Sequence, residues 1–283
     1  MAKQQAEYTD AHGVTIVYDV HAAKKPHAVV QLLHGVGEHA GRYGAVIKAL
    51  NSAGYTVYAD DHRGHGRTGL LQHGGPDKLG RLGKGGHNAT KAAVYQLTGI
   101  IREAHPDLPI ILLGHSWGSF LAQMLVNEHP EDYAGLVLSG SALRTPFDLN
   151  AAPLNARWKG PDATGFEWLS RDPAVWEAFA NDPLTTGTPL LKLFGPIDAA
   201  KLYGLPAKDL GYDIPTLLLV GRDDPVGGAK SVHKLADAYR ERSGFTDITT
   251  LVYPEDRHEV FNELDQEQVR ADLLAWLAAR FKA

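Results

Sequence analysis

Short apolar runs alternate along this chain with longer stretches in which apolar residues recur every three or four positions. Tyr8, and then Val14, Ile16 and Tyr18 alternating with Thr15, Val17 and Asp19, predict a hairpin turning near Gly13. Runs at 28–33, 55–59, 110–113, 135–139, 216–220 and 248–253 are short and largely apolar, as in strands covered on both faces. Helices are predicted over 43–53, from about 120 to 125, and over 230–242. Another runs over 88–103, with Asn88 as its cap and Ala92, Ala93, Leu97, Ile100 and Ile101 as its apolar stripe. A glycine-rich loop is expected over 69–86. Asp265 and Gln268 form a capping-box pattern for a last helix carrying Val269, Leu273, Trp276 and Leu277 on one face. The alternation predicts an α/β fold: a mostly parallel central sheet flanked by helices on both faces. Residues 141–212 break the alternation. At 283 residues the chain is near the limit for one core, so it reads as a single domain, 1–140 continued by 213–283, with 141–212 inserted.

Charge and composition narrow the function. A net charge of −5 and an isoelectric point near 6.3 provide no basic face for nucleic acid or anionic lipid. The absence of cysteine excludes disulfides, thiolate nucleophiles and cysteine-bound metals. Met1-Ala2-Lys3-Gln4-Gln5 is followed by no apolar run suited to a signal peptide, and no segment is long enough to span a bilayer, so a soluble, cytoplasmic protein is expected.

The most informative stretch is Ile110 through Ser119. An apolar run stops at Gly114, Ser116 sits between Gly114 and Gly118, and a helical pattern follows. Strand, sharp turn and helix around Gly-x-Ser-x-Gly is the setting of a nucleophile elbow. There the glycines remove Cβ atoms that would clash, and the serine Oγ is exposed on a strained backbone. Ser is also a favoured helix cap, so the motif needs partners. It has them in chain order: a carboxylate in Gly221-Arg222-Asp223-Asp224-Pro225 and His258 after the last strand, each beyond a strand's carboxyl end. Ser116 is thus the candidate nucleophile and His258 its base, with an aspartate to orient the imidazole. The residues alone leave Asp223 and Asp224 both open. Backbone N–H groups of Trp117, after the nucleophile, and Val36, in the turn after His34, are candidates for the oxyanion hole. His34, His39, His62 and His65 lack the carboxylate partners or the His-Glu-x-x-His spacing of a zinc site, so no metal and no cofactor are expected.

Three motifs, His34-Gly35-Val36-Gly37-Glu38-His39-Ala40-Gly41-Arg42-Tyr43, Asp61-His62-Arg63-Gly64-His65-Gly66-Arg67-Thr68 and Gly114-His115-Ser116-Trp117-Gly118, resemble the monoacylglycerol lipase and lysophospholipase-like branch of the α/β-hydrolases. Ser170-Arg171-Asp172-Pro173, Asp182-Pro183-Leu184 and Arg257-His258-Glu259-Val260-Phe261-Asn262-Glu263 extend the likeness over nearly the whole chain. The resemblance implies that Asp224 is the acid and that 141–212 is a cap. Its aromatics (Trp158, Phe166, Trp168, Trp176, Phe179 and Phe194) then either line an acyl pocket or pack the cap's own core, with Trp168 and Phe194 taken as the pocket candidates. It also implies that Glu38 and Arg42 bind a glyceride head; their spacing equally suits an ion pair between them. Trp117 stands where the family usually has methionine and would reshape the acyl side if it points inward; Thr68 replaces a usual serine.

The expectation is a serine hydrolase acting on a small-molecule carboxylic ester such as a monoacylglycerol, a lysophospholipid or another medium-chain acyl ester, with transient contact to lipid aggregates. Amide hydrolysis as in proline iminopeptidases, acyl transfer to an alcohol, and a non-catalytic binding protein on the same scaffold are the alternatives.

Overall fold

A computed structural model describes residues 3–150 and 152–281; Met1 and Ala2 of the N-terminal stretch lie outside it. The hairpin forms from β1 (Lys3–Thr9) and β2 (Thr15–His21). Then follow β3 (Ala28–Leu33), α1 (Gly44–Ser52), β4 (Tyr55–Asp60), α2 (Gly66–His73), α3 (Gly86–Ala104), β5 (Ile110–His115), α4 (Trp117–Glu128) and β6 (Gly135–Ser139). The segment between β6 and β7 (Thr216–Gly221) leaves the sheet and carries α5 (Pro173–Asn181) and α6 (Leu190–Ala200). The chain ends with α7 (Gly228–Ala238), β8 (Ile248–Tyr253) and α8 (Gln266–Arg280).

The strands form one sheet in the order β1-β2-β4-β3-β5-β6-β7-β8, parallel from β4 onward, with the first two strands antiparallel at one edge. Every residue of β3 through β7 is buried, which explains why their sequences are largely apolar. Alternate residues feed two cores. Ile110 and Leu112 meet the apolar faces of α3, α4 and α7, whereas Ile111 and Leu113 meet α1 and α8. Because the β strands run parallel, their carboxyl ends and the loops after β3, β5, β7 and β8 gather at one edge, where ligands of such sheets bind.

Several local expectations give way to tertiary contacts. Residues 66–73 form α2 inside what reads as a glycine-rich loop. The helix read from Asn88 starts two residues earlier, after Gly85 at φ +87°, and has no side-chain cap; the Asp198 carboxylate lies where a Gly86 Cβ would stand. Ala92 faces solvent, and Thr90 and Val94 take its place in the core. The capping box at α8 does not form, because Asp265 accepts from Arg171 Nη2 at 2.9 Å and the Gln268 amide donates to Asp272 at 2.8 Å. The helix read over 230–242 ends as a wide turn over Tyr239–Ser243. Residues 40–43 form a 3₁₀ turn ahead of α1. Among the described residues no helix is long and apolar enough to cross a membrane.

Close approach of α4 to β3 explains the glycine after the serine. A Cβ on Gly118 would lie 2.2 Å from the Leu33 carbonyl oxygen and 2.5 Å from that of His34, both rigid backbone. Gly118→Ala is therefore expected to destabilise the protein by about 3 kcal/mol, read as a lower urea midpoint at unchanged m-value.

Candidate active site

Ser116 follows β5 at φ +52°, ψ −123°, a conformation that strains any residue with a Cβ, and its N–H donates to Ser139 O at 2.9 Å. The turn after β3 lies beside it: a Cβ on Gly35 would stand 3.1 Å from Ser116 Cβ. Neither the Val36 N–H in that turn nor the Trp117 N–H at the start of α4 donates to a protein acceptor among the described residues. Both backbone donors read from the sequence thus flank Ser116 with hydrogens to spare.

His258 and Asp224 come together because β7 and β8 pair in parallel through Gly221 and Tyr253, and their loops remain zipped beyond the sheet. Arg222 N donates to Tyr253 O at 2.9 Å and Asp223 N to Asp256 O at 3.0 Å. Asp224 Oδ1 accepts from His258 Nδ1 at 2.9 Å and from Val226 N at 2.8 Å, whereas Asp223 turns outward to pair with Arg157. His258 Nε2 is buried with no hydrogen-bond partner among the described residues, so a Ser116–His258 hydrogen bond is not made in this arrangement. Such bonds commonly tighten only when substrate is bound. Burial works against the imidazolium of His258, but the Asp224 carboxylate and its hydrogen bond, then Glu259 and Glu38, outweigh it and raise the pKa. His115, whose ring centre is 4.7 Å from that of His258, is driven down to about 4 by burial and then by the charge on His258.

Glu38 and Arg42 lie inside the protein. Glu38 Oε1 accepts the Gly35 N–H and the Tyr43 hydroxyl, both at 2.6 Å, and Oε2 accepts Arg42 Nη1 at 2.7 Å. The Arg42 guanidinium then grips Glu259 through two bonds of 2.6 and 2.8 Å. Burial opposes the charge on Glu38, yet Arg42, His115 and the hydrogen bonds hold its pKa below the usual carboxylate value. The sequence reading passed over Glu259 and Tyr43 as members of this set. Glu259 adjoins His258, but no spacing rule links positions 42 and 259, and only the fold brings them together.

The inserted segment covers the site. Its Trp168 ring lies 4.9 Å from that of His258, and its backbone accepts the His258 N–H through Trp168 O and the Glu259 N–H through Leu169 O. Thr186 N donates to Gly37 O at 2.8 Å, clasping the turn that holds Val36. Phe194 packs 5.0 Å from Trp117, whose fully buried indole also touches His62 and His65. Of the other aromatics read in the segment, Phe179 lies under the Arg42 guanidinium at 4.9 Å and packs against Phe166, Trp158 lies under Arg257, and Trp176 donates to Ser170 O.

The histidines of the first two motifs brace loops against one another. His34 and His62 stack at 4.0 Å, His34 Nε2 accepts the His62 N–H, His62 Nδ1 binds Asp60, and His39 Nε2 binds Asp182 of the inserted segment. Asp256, Glu263 and Asp265 also converge, but on the Arg171 guanidinium.

Comparison with known proteins places this geometry. The chain is 33% identical to a monoacylglycerol lipase of Mycolicibacterium smegmatis, over 98% of both chains, and 26% identical to mouse monoglyceride lipase over 91% of this chain and 84% of that one. Its structure matches that of a thermostable carboxyl esterase from Bacillus coagulans with a TM-score of 0.81 and 26% identity over the full length of both. The family model described as serine aminopeptidase S33 matches residues 24–265. The chain therefore belongs to the serine aminopeptidase S33 family of α/β-hydrolases.

Proposed function

We propose that this protein is a carboxylic ester hydrolase that cleaves monoacylglycerol or a similar medium-chain acyl ester through Ser116, His258 and Asp224. The observation that carries the mechanism is the buried His258, held at Nδ1 by Asp224 and left unpartnered at Nε2, beside a serine on a strained turn. Ser116 Oγ attacks the ester carbonyl while His258 Nε2 takes its proton. Asp224 keeps the Nδ1–H tautomer and stabilises the imidazolium. The developing oxyanion accepts from the N–H groups of Val36 and Trp117. His258 returns the proton to the departing alcohol, and water, activated in the same way, releases the acid. The chemistry calls for no cofactor.

Glu38 and Arg42 act here as positioning residues. Glu38 anchors the Gly35 N–H next to Val36, and every strong acceptor of Glu38 and Glu259 is already engaged. The same engagement bears on the second reading, amide hydrolysis, which the family's aminopeptidase description favours. An aminopeptidase needs a carboxylate to bind the substrate's ammonium group, and these two carboxylates are spent on Arg42. Residues 141–212 serve as the cap, with Trp168 and Phe194 facing the acyl group. The exposed Leu191 and Ile197 on the cap suit brief contact with lipid aggregates, and a cysteine-free chain suits the reducing cytoplasm.

In a chain-length series of p-nitrophenyl esters and monoacylglycerols, Ser116→Ala should lower turnover by about 10⁶-fold while the far-UV circular dichroism stays unchanged. Wild-type activity on aminoacyl p-nitroanilides and on no ester would overturn the ester reading. Because His258 acts as the neutral base and its pKa is raised, kcat/KM should fall with decreasing pH through a midpoint above the ordinary imidazole value of about 6.5. Asp224→Asn should lower kcat by about 10⁴ and shift that midpoint downward. A pH-independent rate in wild type would remove His258 from the role.

A further inference from the structure

On the far side of the Trp117–Phe194 wall, α3, α4 and the strand of chain leaving the insertion enclose a groove of about 320 Å³. Its lining includes His87, Lys91, Met124, Arg144, Lys201 and Tyr203. Arg144, only 3% exposed, donates from Nε to Gln123 Oε1 at 3.1 Å and from Nη1 to Leu202 O at 2.8 Å, both neutral acceptors. No carboxylate pairs with it among the described residues, and its Nη2 donates to no protein acceptor there. The two other cations in the lining are each matched, Lys91 by Glu128 and Lys201 by Asp198. The charge of Arg144 is the surplus.

A guanidinium taken out of water without a counter-charge is expensive, and proteins ordinarily supply a carboxylate. Here burial lowers the Arg144 pKa only to about 10, so the group stays charged at neutral pH. The chain packs closely beside this edge: a Cβ on Gly204 would stand 3.0 Å from Nη2 and 3.2 Å from Nη1, so only a glycine leaves it uncovered there. Met124 and Tyr203 add apolar surface beside the charge.

We propose that this groove is a second binding site, separate from Ser116, for an oxyanion, carboxylate or phosphate, that pairs with the free edge of Arg144. It does not depend on what Ser116 hydrolyses. It does adjoin the site: His87 in its lining packs 6.0 Å from the Trp117 ring and 6.4 Å from that of Phe194.

Calorimetric titration of the whole protein with octanoate, with inorganic phosphate, and with octanol as the uncharged control tests the proposal, independently of hydrolysis. Octanoate or phosphate should bind, octanol should bind more weakly, and Arg144→Gln should weaken the anion by about tenfold or more. Octanoate is also the acid that hydrolysis of a medium-chain ester releases at Ser116, so the binding assigned to the groove is the part that Arg144→Gln removes: a loss for octanoate alone identifies a carboxylate site, and a loss for phosphate alone a phosphate site. Arg144→Lys, which keeps the charge and loses the free guanidinium edge, should cause a smaller loss of about threefold and decides the matter if Arg144→Gln does not fold. If neither anion binds wild type, or if both bind the variants as tightly as wild type, the proposal fails.

Discussion

The arrangement around Ser116 depends on the ion pair of Arg42 with Glu38 and Glu259. All three side chains are nearly buried, and the single guanidinium spans the two carboxylates. Glu38 in turn holds the Gly35 N–H, which sets the turn bearing the free Val36 N–H, and Glu259 is the immediate neighbour of His258. The loop after β3 and the loop after β8 are thus joined through one cation. Breaking a buried pair from one side typically costs about 3–5 kcal/mol, because the remaining charge cannot reach water. Here the loss would also fall on the geometry of the two loops beside Ser116.

Against that fixed frame, the inserted segment is held by backbone contacts of a different kind. Trp168 O, Leu169 O and Thr186 N bond directly to residues 258, 259 and 37, so the segment reads the positions of the site loops through main-chain atoms rather than through side-chain identity. Ser116 is only 9% exposed. Water excluded from such a site strengthens each remaining electrostatic contact, including the pull of Asp224 on His258.

Trp117 joins the two sides of the molecule. Its backbone N–H adjoins Ser116, while its indole fills the space between the loop histidines and Phe194 and backs onto the groove that contains Arg144. Its Nε1–H has no acceptor among the described residues, and the Nε2 atoms of His62, His65 and His87 have no hydrogen-bond partner there either. Burial of an indole this large against several rings gives the elbow helix a firm seat while leaving polar atoms unmatched on that side.

How much of this was legible beforehand follows from the range of each interaction. The alternating strands and helices and the strand, sharp turn and helix around Ser116 are consequences of local pattern: apolar runs buried on both faces, and glycines where a Cβ would strike backbone. Those the sequence determined by itself. The helix read from Asn88 begins two residues earlier, against the Asp198 carboxylate, and the last helix begins after Asp265 as expected but without its capping box, because Arg171 takes the Asp265 carboxylate; both partners come from the inserted segment. The pair of Arg42 with Glu38 was open to reading from their spacing, but its second partner lies more than two hundred positions away at Glu259, and the missing partner of Arg144 is visible only once α4 and residues 202–204 are seen to surround it. Only the tertiary structure could decide these, since a charge's partner is set by distance through space and the cost of burying it exists only after the chain has closed around it.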